Sequence, residues 1–358
     1  MDAAPLAAAP PDTVLRVEDL RTSFFTEEGE IPAVNGVSFE LRRGKVLALV
    51  GESGCGKSVT SYSILRLIRP PGRIVGGRIV FQPSKGEPLD IAALNEKSDA
   101  LYRVRGGHIS MIFQEPMTAL SPVHTVGNQI CEAILLHQDV TPAQAHDLAV
   151  AMLRKVGIPG AERRVDQFPH EMSGGMRQRV VIAMALVCNP EVLIADEPTT
   201  ALDVTIQAQI LRLIKDLQRA SGTSVVFITH DLGVVAQVAD DVAVMYLGRV
   251  VEKAPVRAVL KEPVHPYTAS LLRSLPGVSG KAGGRLPAIK GSVPSLNAIP
   301  PGCPFHPRCE QAVRGRCDVG GPPALRTFTG GRQAACVRVE ELHPGLAAVE
   351  STREEVAR

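Results

Sequence analysis

Two hydrophobic periods alternate along the chain. Val14–Val17, Val37–Leu41 and Val46–Val50 are short alternating or wholly apolar runs, the last closing on Gly51, and they read as strands. After Gln114 the spacing becomes helical: Thr125–His137 and Thr141–Val156 carry apolar residues such as Leu148, Met152 and Val156 on one face. Thr141 followed by Pro142 is a helix start. Met176–Val187 is predicted helical, Val192–Ala195 a buried strand, Ile206–Ala220 a helix and Val225–Thr229 a second buried strand. Strand, helix, strand predicts a parallel sheet, with the stretch from about 115 to 172 as a helical insert. Residues 1–12, built of Ala and Pro, predict a disordered lead-in. Beyond Val256 prolines recur (Pro263, Pro266, Pro276, Pro287, Pro294, Pro300, Pro301), so no compact helix-sheet layer is expected there and a domain boundary is placed near residue 256. The acidic residues Glu340, Glu341, Glu350, Glu354 and Glu355 predict a solvated tail over 341–358.

Composition narrows the class. A chain of 358 residues exceeds one ordinary domain, and 45% hydrophobic residues supply a core. Lys plus Arg 39 against Asp plus Glu 37 leaves +2, so no global field holds the protein on nucleic acid or an anionic membrane. The longest uninterrupted apolar run, Val180–Cys188, is about half of the roughly 18 residues a spanning helix needs. The first residues lack a basic stretch and carry prolines, so a secretory signal is not expected and the protein is placed in the cytoplasm. Cys55, Cys131 and Cys188 occur singly, as reduced cytosolic thiols do.

Gly51-Glu52-Ser53-Gly54-Cys55-Gly56-Lys57-Ser58 leaves a strand and enters a helix, the pattern of a phosphate-binding loop. Glycines let backbone N–H groups face phosphate oxygens, Lys57 reaches the β and γ phosphates, and Ser58 ligates magnesium. Asp196 and Glu197 close a buried strand, where one carboxylate can hold magnesium and the other can polarise water. His230 follows the neighbouring strand and is expected at the same sheet edge. Cys55 is read as filling a permissive position, with no catalytic role, although a helix N-terminus is able to lower a thiol pKa.

Four further cysteines, Cys303, Cys309, Cys317 and Cys336, are spaced C-x5-C-x7-C-x18-C in a Pro- and Gly-rich segment. A [4Fe-4S] cluster is the first reading, because the spacing lacks the paired C-x2-C knuckles of zinc; Zn2+ and unliganded thiols are the alternatives. Arg308, Arg314, Arg316 and Arg332 outnumber Glu310 and Asp318 and would offset the charge of a thiolate-bound cluster, or form a solvated basic face. His306 is read as a surface residue and a possible substitute ligand.

Met172-Ser173-Gly174-Gly175-Met176-Arg177-Gln178, before Asp196, resembles the signature motif of ATP-binding cassette (ABC) ATPases. Gln114 in Ile112-Phe113-Gln114-Glu115-Pro116, Ala201-Leu202-Asp203 and Thr229-His230-Asp231 resemble that family's Q-loop, D-loop and switch. The resemblance implies an α/β P-loop NTPase (RecA-like) core with an antiparallel β subdomain and an α-helical subdomain, spanning 13–256. It implies that Phe24, or its neighbour Phe25, stacks on adenine, that Glu197 is the general base and that His230 contacts the γ phosphate. Gln114 would sense magnesium, beside Ser58 and Asp196, while Ser173, Gly174, Gly175 and Asp203 would serve ATP across a dimer. His265-Pro266-Tyr267-Thr268 and Gly302-Cys303-Pro304-Phe305-His306-Pro307-Arg308-Cys309 are similar to the D-type ATPase subunit of bacterial oligopeptide/dipeptide importers. That likeness implies a small irregular Cys-rich C-terminal domain over 257–340 and ATP hydrolysis coupled to import. It also implies a homologous F-type ATPase subunit as head-to-tail partner, two membrane permeases and an extracytoplasmic binding protein, at the cytoplasmic face of the membrane. Nickel, opine or glutathione import is the alternative within the class; a soluble ABC ATPase acting on nucleic acid or ribosomes is the alternative outside it.

Overall fold

Strand formation extends well past the short apolar runs at the start of the chain. The computed structural model describes residues 12–114, 119–200, 202–274 and 289–349. In it β1 (Thr13–Thr26) and β2 (Gly29–Arg42) form a long antiparallel hairpin, interrupted by several register shifts. β3 (Val46–Val50) is buried at every position. β4 (Gly72–Phe81) and β5 (Leu89–Asp90) join the hairpin in a four-stranded antiparallel sheet of order β2-β1-β4-β5. β6 (Ile109–Ile112), β7 (Val192–Asp196), β8 (Ser224–Thr229), β9 (Asp241–Tyr246) and β10 (Arg249–Pro255) belong with β3 to the second sheet.

That sheet has the order β11-β12-β10-β9-β3-β8-β7-β6, with β11 (Arg326–Phe328) and β12 (Arg332–Ala334) at one edge. β9, β3, β8, β7 and β6 are mutually parallel, whereas β10, β12 and β11 pair antiparallel. Burial on both faces explains the wholly apolar runs of β3, β7 and β8. The register places Val50 beside Thr229, Asp196 beside Ile228 and Ile112 beside Ala195, so the carboxyl ends of four parallel strands share one edge.

The helical insert has strong local signals. Thr125 caps the helix Val126–His137. Thr141 and Gln144 form a capping box on the helix Pro142–Lys155, which carries Pro at its first turn. Val126, Ile130, Ile134, Ala145, Ala149 and Leu153 form one buried core with Val180 and Ile182 of the helix Gly174–Leu186. None of the described helices is long and apolar enough to cross a membrane.

The segment after Pro255 departs from expectation. It packs helices Val256–Lys261 and Pro266–Arg273 and adds β12 directly to β10, with Glu252 opposite Ala334. Tyr246, Tyr267 and Phe305 pack in tilted and edge-on contacts with ring centroids 4.7–5.4 Å apart, in a core shared with Val50 and Val244. Each buried large side chain contributes roughly 1.5–3 kcal/mol, enough for a few rings to fix a proline-rich stretch with little ladder hydrogen bonding. The described part of the expected tail, residues 341–349, holds no buried side chain, and it is attached to the extension at both of its described ends. Just before it Val339 is buried and Glu340 pairs with Arg326; within it Glu341 pairs with Arg316, and the Val349 N–H donates to Thr327 O at 2.8 Å. Residues 1–11 of the lead-in and 350–358 of the tail lie outside the described residues.

Candidate nucleotide site

The loop after β3 turns on backbone geometry that side chains resist. Gly56 has φ +100°, and a Cβ there would stand 2.5 Å from the Ala33 carbonyl oxygen. A Cβ on Gly51 would meet Met245 O at 2.3 Å. The helix Lys57–Ile64 therefore starts on a bare left-handed residue with no side-chain cap, leaving its first N–H groups free for an anion. Lys57, only 5% exposed, donates from Nζ to Gly51 O at 2.9 Å and Glu52 O at 3.1 Å, so it lies along the loop it serves. Cys55 is buried, and burial pushes its thiol up despite Lys57 nearby, in keeping with a filling role.

Asp196 ends β7 with no exposed surface, and both carboxylate oxygens lack an ordinary hydrogen bond. Burial pushes its pKa up to about 6, while the Ser58 hydroxyl and Lys57 pull it down. An orphaned buried carboxyl beside a hydroxyl is what a divalent cation site requires, so Asp196 and Ser58 fit magnesium. Gln114, exposed, stands just past β6 on the same edge; Glu115 and Pro116 of the expected Q-loop, and Ala201 of the D-loop, lie outside the described residues.

Glu197 adopts φ 47°, a left-handed conformation unusual for its type. Its carboxylate accepts from Thr200 Oγ1 at 2.9 Å and lies 3.2 Å from His230 Nδ1. Burial opposes its ionisation, but these partners hold it below the usual carboxylate range. Thr200 was not foreseen as its partner. Asp203 is engaged as the cap of the helix Val204–Ser221, accepting from Thr205 and Ile206 N–H at 3.0 Å each. Ser173 caps the helix Gly174–Leu186 and is exposed with that N-terminus, while Gln178 donates to Pro198 O at 2.5 Å. The Phe24 ring lies against Gly72, where an added Cβ would meet it at 2.6 Å, and Phe25 lies under the Arg73 guanidinium at 4.1 Å.

At the C-terminal side Cys303, Cys309, Cys317 and Cys336 line one cavity of about 20 Å3 with Phe305 and His306. Burial raises Cys303 to about 12 and also raises Cys309 and Cys336. The donor chemistry suits a cluster, but the space matches roughly one water, and among the described residues no three Cys, His, Asp or Glu side chains form a metal-ligand group. The arginines are also not gathered on the thiols: Arg308 pairs with Glu52, Arg316 with Glu341 and Arg332 with Glu262. The Arg308–Glu52 pair escaped sequence reasoning because the partners are 256 residues apart.

Comparison with known proteins agrees with this geometry. Residues 34–200 match the family described as ABC transporter, and residues 251–317 match the oligopeptide/dipeptide transporter C-terminal region. A putative peptide import ATP-binding protein of Brucella abortus is 50% identical over 335 residues, covering 92% of this chain and 98% of its own. The oligopeptide transport ATP-binding protein AppD of Bacillus subtilis is 50% identical over 329 residues, with the same coverage of 92% and 98%. A dimeric ATP-binding cassette, MJ0796, solved in a post-hydrolysis state with ADP and phosphate, superposes with TM-score 0.59 at 25% identity, covering 68% of this chain and 99% of that one. The chain therefore belongs to the ABC transporter ATPases that carry the oligopeptide/dipeptide transporter C-terminal region.

Proposed function

We propose that this chain is the ATP-binding and hydrolysing subunit of a membrane importer for di- and oligopeptides. The observation that carries it is the convergence of the 51–58 loop, buried Asp196 and the Glu197–His230 pair on one sheet edge. The peptide assignment draws on the C-terminal match and on relatives named for peptide import.

In this reading the 51–58 loop and the bare N-terminus of the helix Lys57–Ile64 bind the phosphates, with Lys57 swinging from the Gly51 and Glu52 carbonyls to the β and γ oxygens. Ser58, Asp196 and Gln114 would hold magnesium, which when bound would supply positive charge against that of the phosphates. Glu197, held ionised, takes the proton of the attacking water, and His230 approaches the γ phosphate from the same side. Phe24 stacks on adenine. Ser173, Gly174, Gly175 and Asp203 serve the nucleotide of a partner subunit, for which a homologous F-type ATPase is proposed. The pairing would leave the insert to dock on one of two permeases at the cytoplasmic face, with a binding protein delivering peptide outside. Residues 13–256 form the nucleotide-binding domain and 257–340 the extension. A [4Fe-4S] cluster on Cys303, Cys309, Cys317 and Cys336 belongs to the proposal on the donor set alone. Iron and sulfide in anaerobically purified protein support it; colourless protein loaded with zinc or free of metal removes it.

Purification of the tagged chain from gently solubilised membranes tests the assembly. Two permeases and a second cassette subunit in stoichiometric amounts are expected; ribosomes or DNA in their place overturn the importer reading.

A further inference from the structure

The C-terminal extension reaches into the phosphate loop. Glu52, the loop's second residue, has every polar group engaged. Its N–H donates to Tyr267 Oη at 3.1 Å, and its carbonyl accepts from Lys57 Nζ at 3.1 Å. Its carboxylate receives both guanidinium nitrogens of Arg308, Nη1 at 2.7 Å and Nη2 at 2.9 Å. Tyr267 and Arg308 both lie beyond Pro255, in the extension.

Arg308 is built in rather than resting on the surface. Its side chain is 4% exposed, its Nε donates to Lys290 O at 3.2 Å, and its guanidinium lies 5.9 Å from the Tyr246 ring centre, with Nη1 3.5 Å from Tyr246 Oη. The short helical turn His306–Arg308 that carries it is set by buried Phe305 against Tyr246 and Tyr267. Those rings and the pairing of β12 with β10 also attach the extension, so the ion pair is not its sole attachment.

The pair has a different consequence at the nucleotide site. An ionised carboxylate on a loop that receives a triphosphate repels its own ligand, and in a partly buried setting that repulsion is weakly screened. A two-pronged guanidinium cancels the charge and fixes the carboxylate's direction, which a lysine point charge does less well. We propose that Arg308 is a positioning residue of the nucleotide site: it neutralises Glu52 and sets the loop for the triphosphate, so ATP affinity depends on the C-terminal extension. This rests on the ATP-binding reading of the same loop.

The test is ATP binding to the purified full-length chain by titration calorimetry, with circular dichroism as the folding control. Arg308→Ala is expected to weaken ATP binding about ten-fold, equivalent to one decade in the binding constant. Adding Glu52→Gln in the same chain removes the uncompensated charge and is expected to restore affinity to within about two-fold of the parent. Parental affinity in Arg308→Ala overturns the proposal. So does a double variant as weak as the single one, because lost packing, unlike an unpaired charge, is not repaired by Glu52→Gln. If Arg308→Ala does not fold, Arg308→Gln removes the charge while keeping a hydrogen-bond donor, and the same two comparisons apply. A parent chain that binds no ATP refutes the nucleotide reading itself, a separate failure visible before any variant is made.

Discussion

Replacing Asp196 by Asn should stabilise the metal-free protein while destroying its activity. Asp196 is fully buried with both oxygens unpartnered, and burial raises its pKa from 3.8 to about 6. A carboxyl whose folded pKa lies above its unfolded value favours folding when protonated. Its relative stability is fully present below about 3.8 and is lost as pH rises through about 6. The shift corresponds to an upper limit of about 3 kcal/mol at neutral pH. An amide in the same place carries no charge, although it still wants partners, so a net gain of about 1–3 kcal/mol is expected for Asp196→Asn at pH 7.5 without magnesium. Denaturant unfolding at pH 7.5 and pH 4, with and without magnesium and ATP, measures this. The gain should vanish near pH 4, and it should reverse when magnesium and ATP are present, because ligand binding then stabilises only the parent. An Asn variant less stable than the parent at pH 7.5 without metal, or a difference independent of pH, would refute the reasoning.

Other residues give equally direct expectations. Gly56→Ala places a methyl group 2.5 Å from Ala33 O at φ +100°, so a loss of about 2–3 kcal/mol and of ATP binding is expected in unfolding and calorimetric titrations. Thr141→Ala removes the capping box of the helix Pro142–Lys155 and should cost about 1 kcal/mol in unfolding, with ATP affinity unchanged. Cys55, buried and held protonated, should react with iodoacetamide far more slowly than a free thiol, with or without ATP, as read by mass spectrometry of the modified peptide.

Sequence carried the parallel core well, because strands buried on both faces must be apolar throughout, and Val46–Val50 is read to the residue. The insert was legible for a local reason, since Thr125, Thr141 and Gln144 write their caps into adjacent positions. β4 was missed: Gly72, Gly76 and Gly77 break its apolar pattern, and its pairing with β1 shifts register between Glu18 and Arg21. The extension misled by its prolines. Its order comes from Tyr267 and Phe305 packing on Tyr246, and from β12 adding to β10, neither of which is local in sequence. For the site, Asp196, Glu197 and His230 are legible because each follows an apolar strand run. Thr200, the partner of Glu197, is only three residues away, whereas Arg308 and Tyr267 on Glu52 are spatial facts with no periodic signal.

Peptide uptake by cells carrying Glu197→Gln in place of the parent chain tests the central claim most directly. Loss of a general base lowers turnover by about 10²–10⁴-fold. The account predicts that uptake of labelled peptide falls to background while the variant still assembles at the membrane and binds ATP. Wild-type peptide uptake by cells whose only copy is the assembled Glu197→Gln variant would contradict it.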